Sequence, residues 1–172
     1  DVFKVFGKDD FLLEKKLRHL HKTVLDLIKD EDKRKDLFPV GRLDIDTEGL
    51  LIITNDGDFS HQMLSPSKHV NKTYFSRLKG KVTSKTIEAF AEGINIGTTE
   101  NPELCQSATI EIIDYNEKDN ISSVYITISE GKYHQIKRMA IKCGHEVVFL
   151  KRISMGNYTL PDNLPSGKYI KL

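Results

Sequence analysis

The sequence predicts an α+β domain whose sheet is mixed but mostly antiparallel, with flanking helices. Three observations predict it. Thr109 to Tyr115 and Ile121 to Ser129 alternate polar and apolar residues across the polar hairpin loop Asn116-Glu117-Lys118-Asp119-Asn120. Leu50-Leu51-Ile52-Ile53 is a short apolar run between Gly49 and the turn Asn55-Asp56-Gly57, which reads as a strand buried on both faces. Strand-like runs outnumber helical ones, and the helical ones are short.

Taken in order, Phe11, Leu12, Leu13, Leu17 and Leu20 fit one stripe of a helix that follows the acidic pair Asp9-Asp10. Val24, Leu25 and Ile28 fall at helical spacing. Lys29 to Asp36 is charged in both signs and reads as an exposed helix end or loop. Asp58 to Ser65 reads as a short helix stopped by Pro66, with Phe59, Met63 and Leu64 on its buried side. Lys72 to Lys79 alternates as a strand and stops at Gly80. Thr83 suits the N-cap of a helix ended by Gly93, with Ile87, Phe90 and Ala91 inward. Ile94 to Gly97 reads as a short strand and residues 98–106 as a polar loop. Ile136, Met139, Ala140 and Cys143 give a last helix its buried side, with Gly144 at its C-terminal end. Val147 to Leu150 reads as another buried strand, continued by Lys151-Arg152-Ile153.

With 172 residues, the chain can bury a real core without staples. No apolar run approaches the roughly 20 residues of a membrane span. Two cysteines, Cys105 and Cys143, make neither a disulfide framework nor a zinc site, and a reducing cytoplasm is the simplest setting. Net charge is +1, but residues 121–172 carry eight Lys/Arg against three Asp/Glu. A basic C-terminal third on a slightly acidic remainder is compatible with an RNA-facing surface.

The densest set of ionisable groups is Arg42, Asp44, Asp46 and Glu48, on a loop that leads into the Leu50–Ile53 run. A polar loop anchored by a rigid core strand is a common mounting for binding and catalytic groups. Asp44, Asp46 and Glu48 at alternate positions invite a calcium-loop reading. That pattern fails, because Gly49 stands sixth from Asp44 but position twelve is Asn55 rather than Glu. No metal is expected. Paired carboxylates for glycoside hydrolysis are a second chemical possibility, and they leave the stretch Glu130 to Met139 unexplained.

Gly41-Arg42-Leu43-Asp44, followed by Thr47, Gly49-Leu50-Leu51 and Thr54-Asn55-Asp56-Gly57, resembles the signature of the RsuA-type ribosomal RNA pseudouridine synthases. Glu130-Gly131-Lys132-Tyr133-His134-Gln135-Ile136-Lys137-Arg138-Met139 resembles a second motif of that family, in which a strand ends, turns at a glycine and opens a helix. Lys72-Thr73-Tyr74 matches its Lys-x-Tyr motif, and Leu164 to Tyr169 resembles its closing segment. Gln106-Ser107-Ala108 stands where the family carries a Lys-Pro-Ala-like segment. The resemblance covers about residues 21–172. It implies a pseudouridine synthase fold with a catalytic cleft across the sheet. Residues 1–20 are expected to be an N-terminal remnant or linker, because the family's S4-like RNA-binding domain is not recognisable there.

The resemblance implies isomerisation of one uridine in ribosomal RNA, first in 16S rRNA and alternatively in 23S rRNA. It implies Asp44 as the catalytic carboxylate and Lys137 as the cation opposite it, with Arg138 the alternative. Adjacent helical positions are about 100° apart, so only one of the two is expected to reach that pocket. Tyr74 and Ile136 are expected to sandwich the uracil, with the Tyr74 hydroxyl available for proton transfer. Arg42 is expected to fill the space of the flipped base or to bind an adjacent phosphate. Lys132, Lys151 and Arg152 are candidate phosphate contacts. The isomerisation needs no redox step and no external energy, so no cofactor is implied. The expected partner is ribosomal RNA or a pre-ribosomal particle, not a membrane, and the expected state is a monomer. Two other readings compete. One is an RNA-binding or ribosome-assembly module on the same fold that has no activity. The other is an unrelated α+β domain in which Asp44 caps backbone amides.

Overall fold

The structure is a computed structural model that describes residues 23–172 and the backbone course of residues 2–6. The helix expected over Phe11 to Leu20 lies outside the described residues. The strands are β1 (Val2–Phe6), β2 (Phe38–Pro39), β3 (Glu48–Thr54), β4 (Lys72–Lys79), β5 (Thr109–Asn116), β6 (Ile121–Ile128), β7 (Val147–Met155), β8 (Tyr158–Thr159) and β9 (Tyr169–Lys171). Among the described residues three α-helices accompany them: α1 (Gly57–Leu64), α2 (Ser84–Glu92) and α3 (Gln135–Lys142). One sheet runs in the order β5-β6-β4-β7-β3-β1-β9, with β2 paired to β3 and β8 to β7. Every pairing among these strands is antiparallel except that of β3 with β7. The expected α+β class with a mixed, mostly antiparallel sheet is what folds.

β3 is the hinge of the design. Its even and odd residues enter different cores: Leu50 and Ile52 pack with Val40, Met63, Met155 and Leu160, while Leu51 and Ile53 pack with Ile28 and Leu37. Leu50, Ile52 and Ile53 have no exposed surface, and each contributes about 1.5–3 kcal/mol of burial. The two-sided burial expected from the sequence is therefore present. A third and larger core lies between α2, α3 and the inner face of β4, β6 and β7. It includes Tyr74, Leu78, Phe90, Val124, Ile126, Ile136, Met139 and Leu150.

Several details depart from the expectation. Val2–Phe6, for which the sequence pattern predicts no element, pairs between β3 and β9. Helix α2 buries Thr86 and Phe90 and leaves Ile87 and Ala91 exposed. The cause is polar: the Thr86 hydroxyl lies 3.2 Å from Nε2 of the buried His145, which fixes the inward face. Leu64, at the last turn of α1, is exposed. Ile94 to Gly97 is not a strand. The Asn95 side chain accepts from the amides of Gly97 and Glu103 at 3.0 and 2.8 Å and ties the loop instead. Val148 is exposed because the first half of β7 has β4 alone beside it, β3 joining only at Lys151 and Arg152.

β3 meets β7 closely at Gly49, opposite Arg152. Gly49 has φ +113, and a Cβ there would lie 2.1 Å from the Arg152 carbonyl oxygen. Gly57, at the start of α1, has open space around it and serves as the control. Gly49→Ala is expected to cost about 2–4 kcal/mol, lowering the thermal midpoint by about 5–15 °C, while Gly57→Ala leaves it nearly unchanged. Equal midpoints for the two variants in a melting experiment would contradict the close-contact argument.

Candidate active site

The loop from Gly41 to Thr47 joins β2 to β3 and is closed by a turn in which the Thr47 amide donates to the Asp44 carbonyl at 2.9 Å. Facing it is the segment that opens α3. That segment is braced from below. The amide of Gln106 and the side chain of Gln135 both donate to Glu130 Oε1, at 2.7 and 2.9 Å, and the Lys132 amide donates to Gln135 Oε1 at 3.0 Å. Glu130 and Gln135 are both buried. These two polar side chains of the motif thus hold the turn rather than face solvent.

From this frame α3 projects two groups at Asp44. The Lys137 ammonium lies 3.3 Å from Asp44 Oδ2, and His134 Nε2 lies 3.5 Å from Asp44 Oδ1. Lys137 also makes a close ion pair and hydrogen bond with Asp46. His134 is the left-handed residue just before α3 and Lys137 lies in its first turn, so the two reach Asp44 from neighbouring points. Burial pushes the Lys137 ammonium toward its neutral form, but the hydrogen bond to Asp46 and the charge of Asp44 outweigh this and raise its pKa. Burial likewise works against the Asp46 carboxylate, and Lys137 outweighs it, leaving the carboxyl below its ordinary value. The raised lysine stabilises the fold below about pH 10.4 and loses that effect as pH rises through its folded value. The lowered aspartate stabilises it above about pH 3.9 and loses that effect as pH falls. Between these limits the pair holds the loop to α3.

The other expected positions separate into three groups. Tyr74 on β4 and Ile136 on α3 belong to the same core cluster, and both are almost fully buried. Arg42 is exposed and pairs with no other described residue. Lys132 is half-buried, its Nζ 3.9 Å from Glu130.

Three expectations need correction. Arg138 does not compete for Asp44: its guanidinium binds Glu103 and the carbonyls of Ile96 and Tyr133, the latter two at 3.0 and 2.9 Å. Arg152 is 2 % exposed, with Nε donating to the Leu50 carbonyl at 2.8 Å, so it is a core cation and not a phosphate contact. Its Nη2 is buried without a hydrogen-bond partner. With burial, its charge holds the Lys72 ammonium below the ordinary range, against Glu130. Lys151 pairs with Phe75 where Arg152 pairs with Tyr74, so its side chain leaves the sheet on the face away from Tyr74.

Comparison with known proteins gives this arrangement a family. A family model described as RNA pseudouridylate synthase matches residues 6–142. The chain belongs to the RNA pseudouridylate synthase family. A Bacillus subtilis relative named "Uncharacterized RNA pseudouridine synthase YtzG" is 40 % identical over 173 residues, covering 99 % of this chain and 70 % of its own. The "Ribosomal small subunit pseudouridine synthase A" of Salmonella typhimurium is 42 % identical over 149 residues, covering 87 % of this chain and 61 % of its own. The Escherichia coli K12 protein of the same name is 41 % identical with the same coverage. The chain thus spans about two thirds of the length of these relatives. A solved structure titled "Crystal structure of pseudouridylate synthase" superposes with a TM-score of 0.80 at 34 % identity, covering 99 % of this chain and 69 % of its own. The archaeal box H/ACA sRNP Nop10-Cbf5 complex superposes at 0.58 with 16 % identity, which extends the likeness of fold alone.

Within this member of the family, sequence reasoning misses His134 and treats Asp46 only as a metal ligand. His134 lies within the Glu130 to Met139 motif, but as a left-handed residue just before α3 it is not marked by helical spacing. Nothing local marks Asp46, because its partner is 91 residues away. Asp46→Asn removes a carboxylate that raises Lys137, so burial gains weight and the Lys137 titration moves to lower pH. NMR of the lysine side chain checks this, and an unmoved midpoint would show that Asp44 alone sustains the ammonium.

Proposed function

We propose that this chain isomerises a specific uridine of ribosomal RNA to pseudouridine, with 16S rRNA as the first substrate. The observation that carries the proposal is the Asp44 carboxylate, on the loop that leads into β3 and held 3.3 Å from the Lys137 ammonium. The names of the Salmonella and E. coli relatives support the small-subunit choice. In this reading residues 21–172 are the catalytic domain, and β1, from the segment before it, completes its sheet.

The reaction breaks the N1–C1′ bond and forms a C5–C1′ bond. The C5 proton leaves and N1 gains one, so substrate and product are isomers. Asp44 supplies the negative charge, directed at C1′, at the base or at a sugar proton. Lys137 is the cation opposite that carboxylate and fixes its position. Tyr74 and Ile136 form the apolar floor on which the uracil rests, and the Tyr74 hydroxyl is the proton carrier. Exposed Arg42 meets the RNA, at the position of the extruded base or at a neighbouring phosphate, and Lys132 adds a second phosphate contact. Extruding a base costs a few kcal/mol and is easiest where the RNA is locally open. The enzyme acts in the cytoplasm as a monomer on naked rRNA or an assembly particle, and needs no cofactor or metal.

Tritium release from 5-tritiated uridine in 16S and 23S transcripts, and in pre-ribosomal particles, tests the proposal. Asp44→Asn is expected to fold normally and lose about 1,000-fold or more in kcat. Lys137→Met is expected to lose about 100-fold. Lys151→Met, on the opposite sheet face, retains near-native turnover. Release that survives Asp44→Asn would refute the assignment of Asp44. Retained RNA binding with no release from any substrate would favour the module without activity.

A further inference from the structure

We propose that the outer face of Tyr133 is a stacking subsite for an unpaired RNA base flanking the target uridine. The inference rests on the function proposed above and adds to it a site that the motif resemblance does not assign. Tyr133 is 75 % exposed, the largest exposure of any large hydrophobic side chain among the described residues. An exposed apolar residue is ordinary by itself. Tyr133 differs in being held flat and aimed. Its ring stacks on the His134 imidazole, with centroids 3.9 Å apart and an interplanar angle of 16°.

The support behind the ring is rigid. His134 holds a left-handed conformation, φ 47 and ψ 38, which is unfavourable for a side chain other than glycine. Its Nε2 contacts Asp44. The Tyr133 carbonyl accepts from Arg138 at 2.9 Å, and Arg138 is itself anchored by Glu103. The stack on His134 gives the ring a defined orientation, which reduces the ordering entropy that opposes stacking.

Position selects the ligand. Asp44, His134 and Tyr133 form a continuous line from the carboxylate to solvent. A base laid on the outer face of Tyr133 stands two stacking layers from His134, a span that one nucleotide of splayed single strand covers. Lys132 precedes Tyr133 in the chain and is the cation offered to the phosphate of that nucleotide. A protein partner would have to bury these charges, whereas RNA brings phosphates to the lysines and a π-face to the ring. Stacking accepts any base, so the subsite requires that the flanking nucleotide be unpaired, not that it have a particular sequence.

Two measurements test it with the intact chain. In tritium release from the 16S transcript, Tyr133→Ala is expected to raise KM about tenfold or more, with the loss on KM rather than kcat, and Tyr133→Phe to restore it. In equilibrium binding of the same transcript to the Asp44→Asn protein, adding Tyr133→Ala weakens affinity about tenfold and adding Tyr133→Phe does not. The second arm needs no turnover. If no variant releases tritium, the isomerase reading fails while binding still decides the subsite. Unchanged KM and affinity in Tyr133→Ala would overturn the proposal. So would a loss confined to kcat, which would mean that the ring merely props His134 against Asp44.

Discussion

The Lys137 ammonium joins two distant parts of the chain, aided by the contact of His134 with Asp44. On one side is the polar loop before β3, and on the other is the first turn of α3. Each carboxylate it touches is partly exposed, so neither contact alone would count for much. Their value is in position. The loop is fixed at its far end by β3, which is buried on both faces. Helix α3 is fixed by Met139 and Ala140 in the large core and by the Glu130–Gln135 brace. With both supports rigid, the ammonium loses little entropy in bridging them. Without it, two carboxylates would face an imidazole and an apolar wall.

Beneath this bridge lies an unusual base. β3 reaches β7 through only Glu48–Lys151 and Gly49–Arg152, the parallel pairing that joins the two halves of the sheet. The absence of a side chain at Gly49 permits that approach. The Arg152 guanidinium reinforces it by donating to the carbonyl of Leu50. A buried cation with one unpartnered nitrogen is expensive to maintain. A lysine would lack the planar fork that reaches the carbonyl from the strand beside it. Arg152 thus serves the site from inside the sheet rather than from its surface.

The site's chemistry is more legible in the sequence than its neighbourhood is. Asp44 and Lys137 stand in long motifs, and the turn of an α-helix is enough to separate Lys137 from Arg138. Leu50 to Ile53 announces two-sided burial through composition alone. What stays hidden depends on the far side of each contact. Whether Arg152 or Lys151 faces inward turns on the register of β7 against β4, and one residue of register exchanges the faces. The inward face of α2 is displaced by one position from the apolar pattern because a buried Thr86–His145 pair outweighs the more apolar Ile87. Phe38–Pro39 and Tyr158–Thr159 are strands of two residues, too short to carry a period.

The position of Lys137 also bears on why two acids stand so close on one loop. A single carboxylate facing a fixed ammonium would be well neutralised and a poor attacking or proton-abstracting group. Here Asp46 takes the closer contact, and Asp44 holds Lys137 at 3.3 Å through Oδ2 and His134 at 3.5 Å through Oδ1. The charge of Lys137 is divided. Shared with Asp46, it leaves much of the negative potential at Asp44 uncancelled. Such division is useful where the carboxylate must act on a developing cation at a sugar carbon or on a weakly acidic proton. Asp46 thus shares Lys137 with Asp44 although it is itself largely exposed.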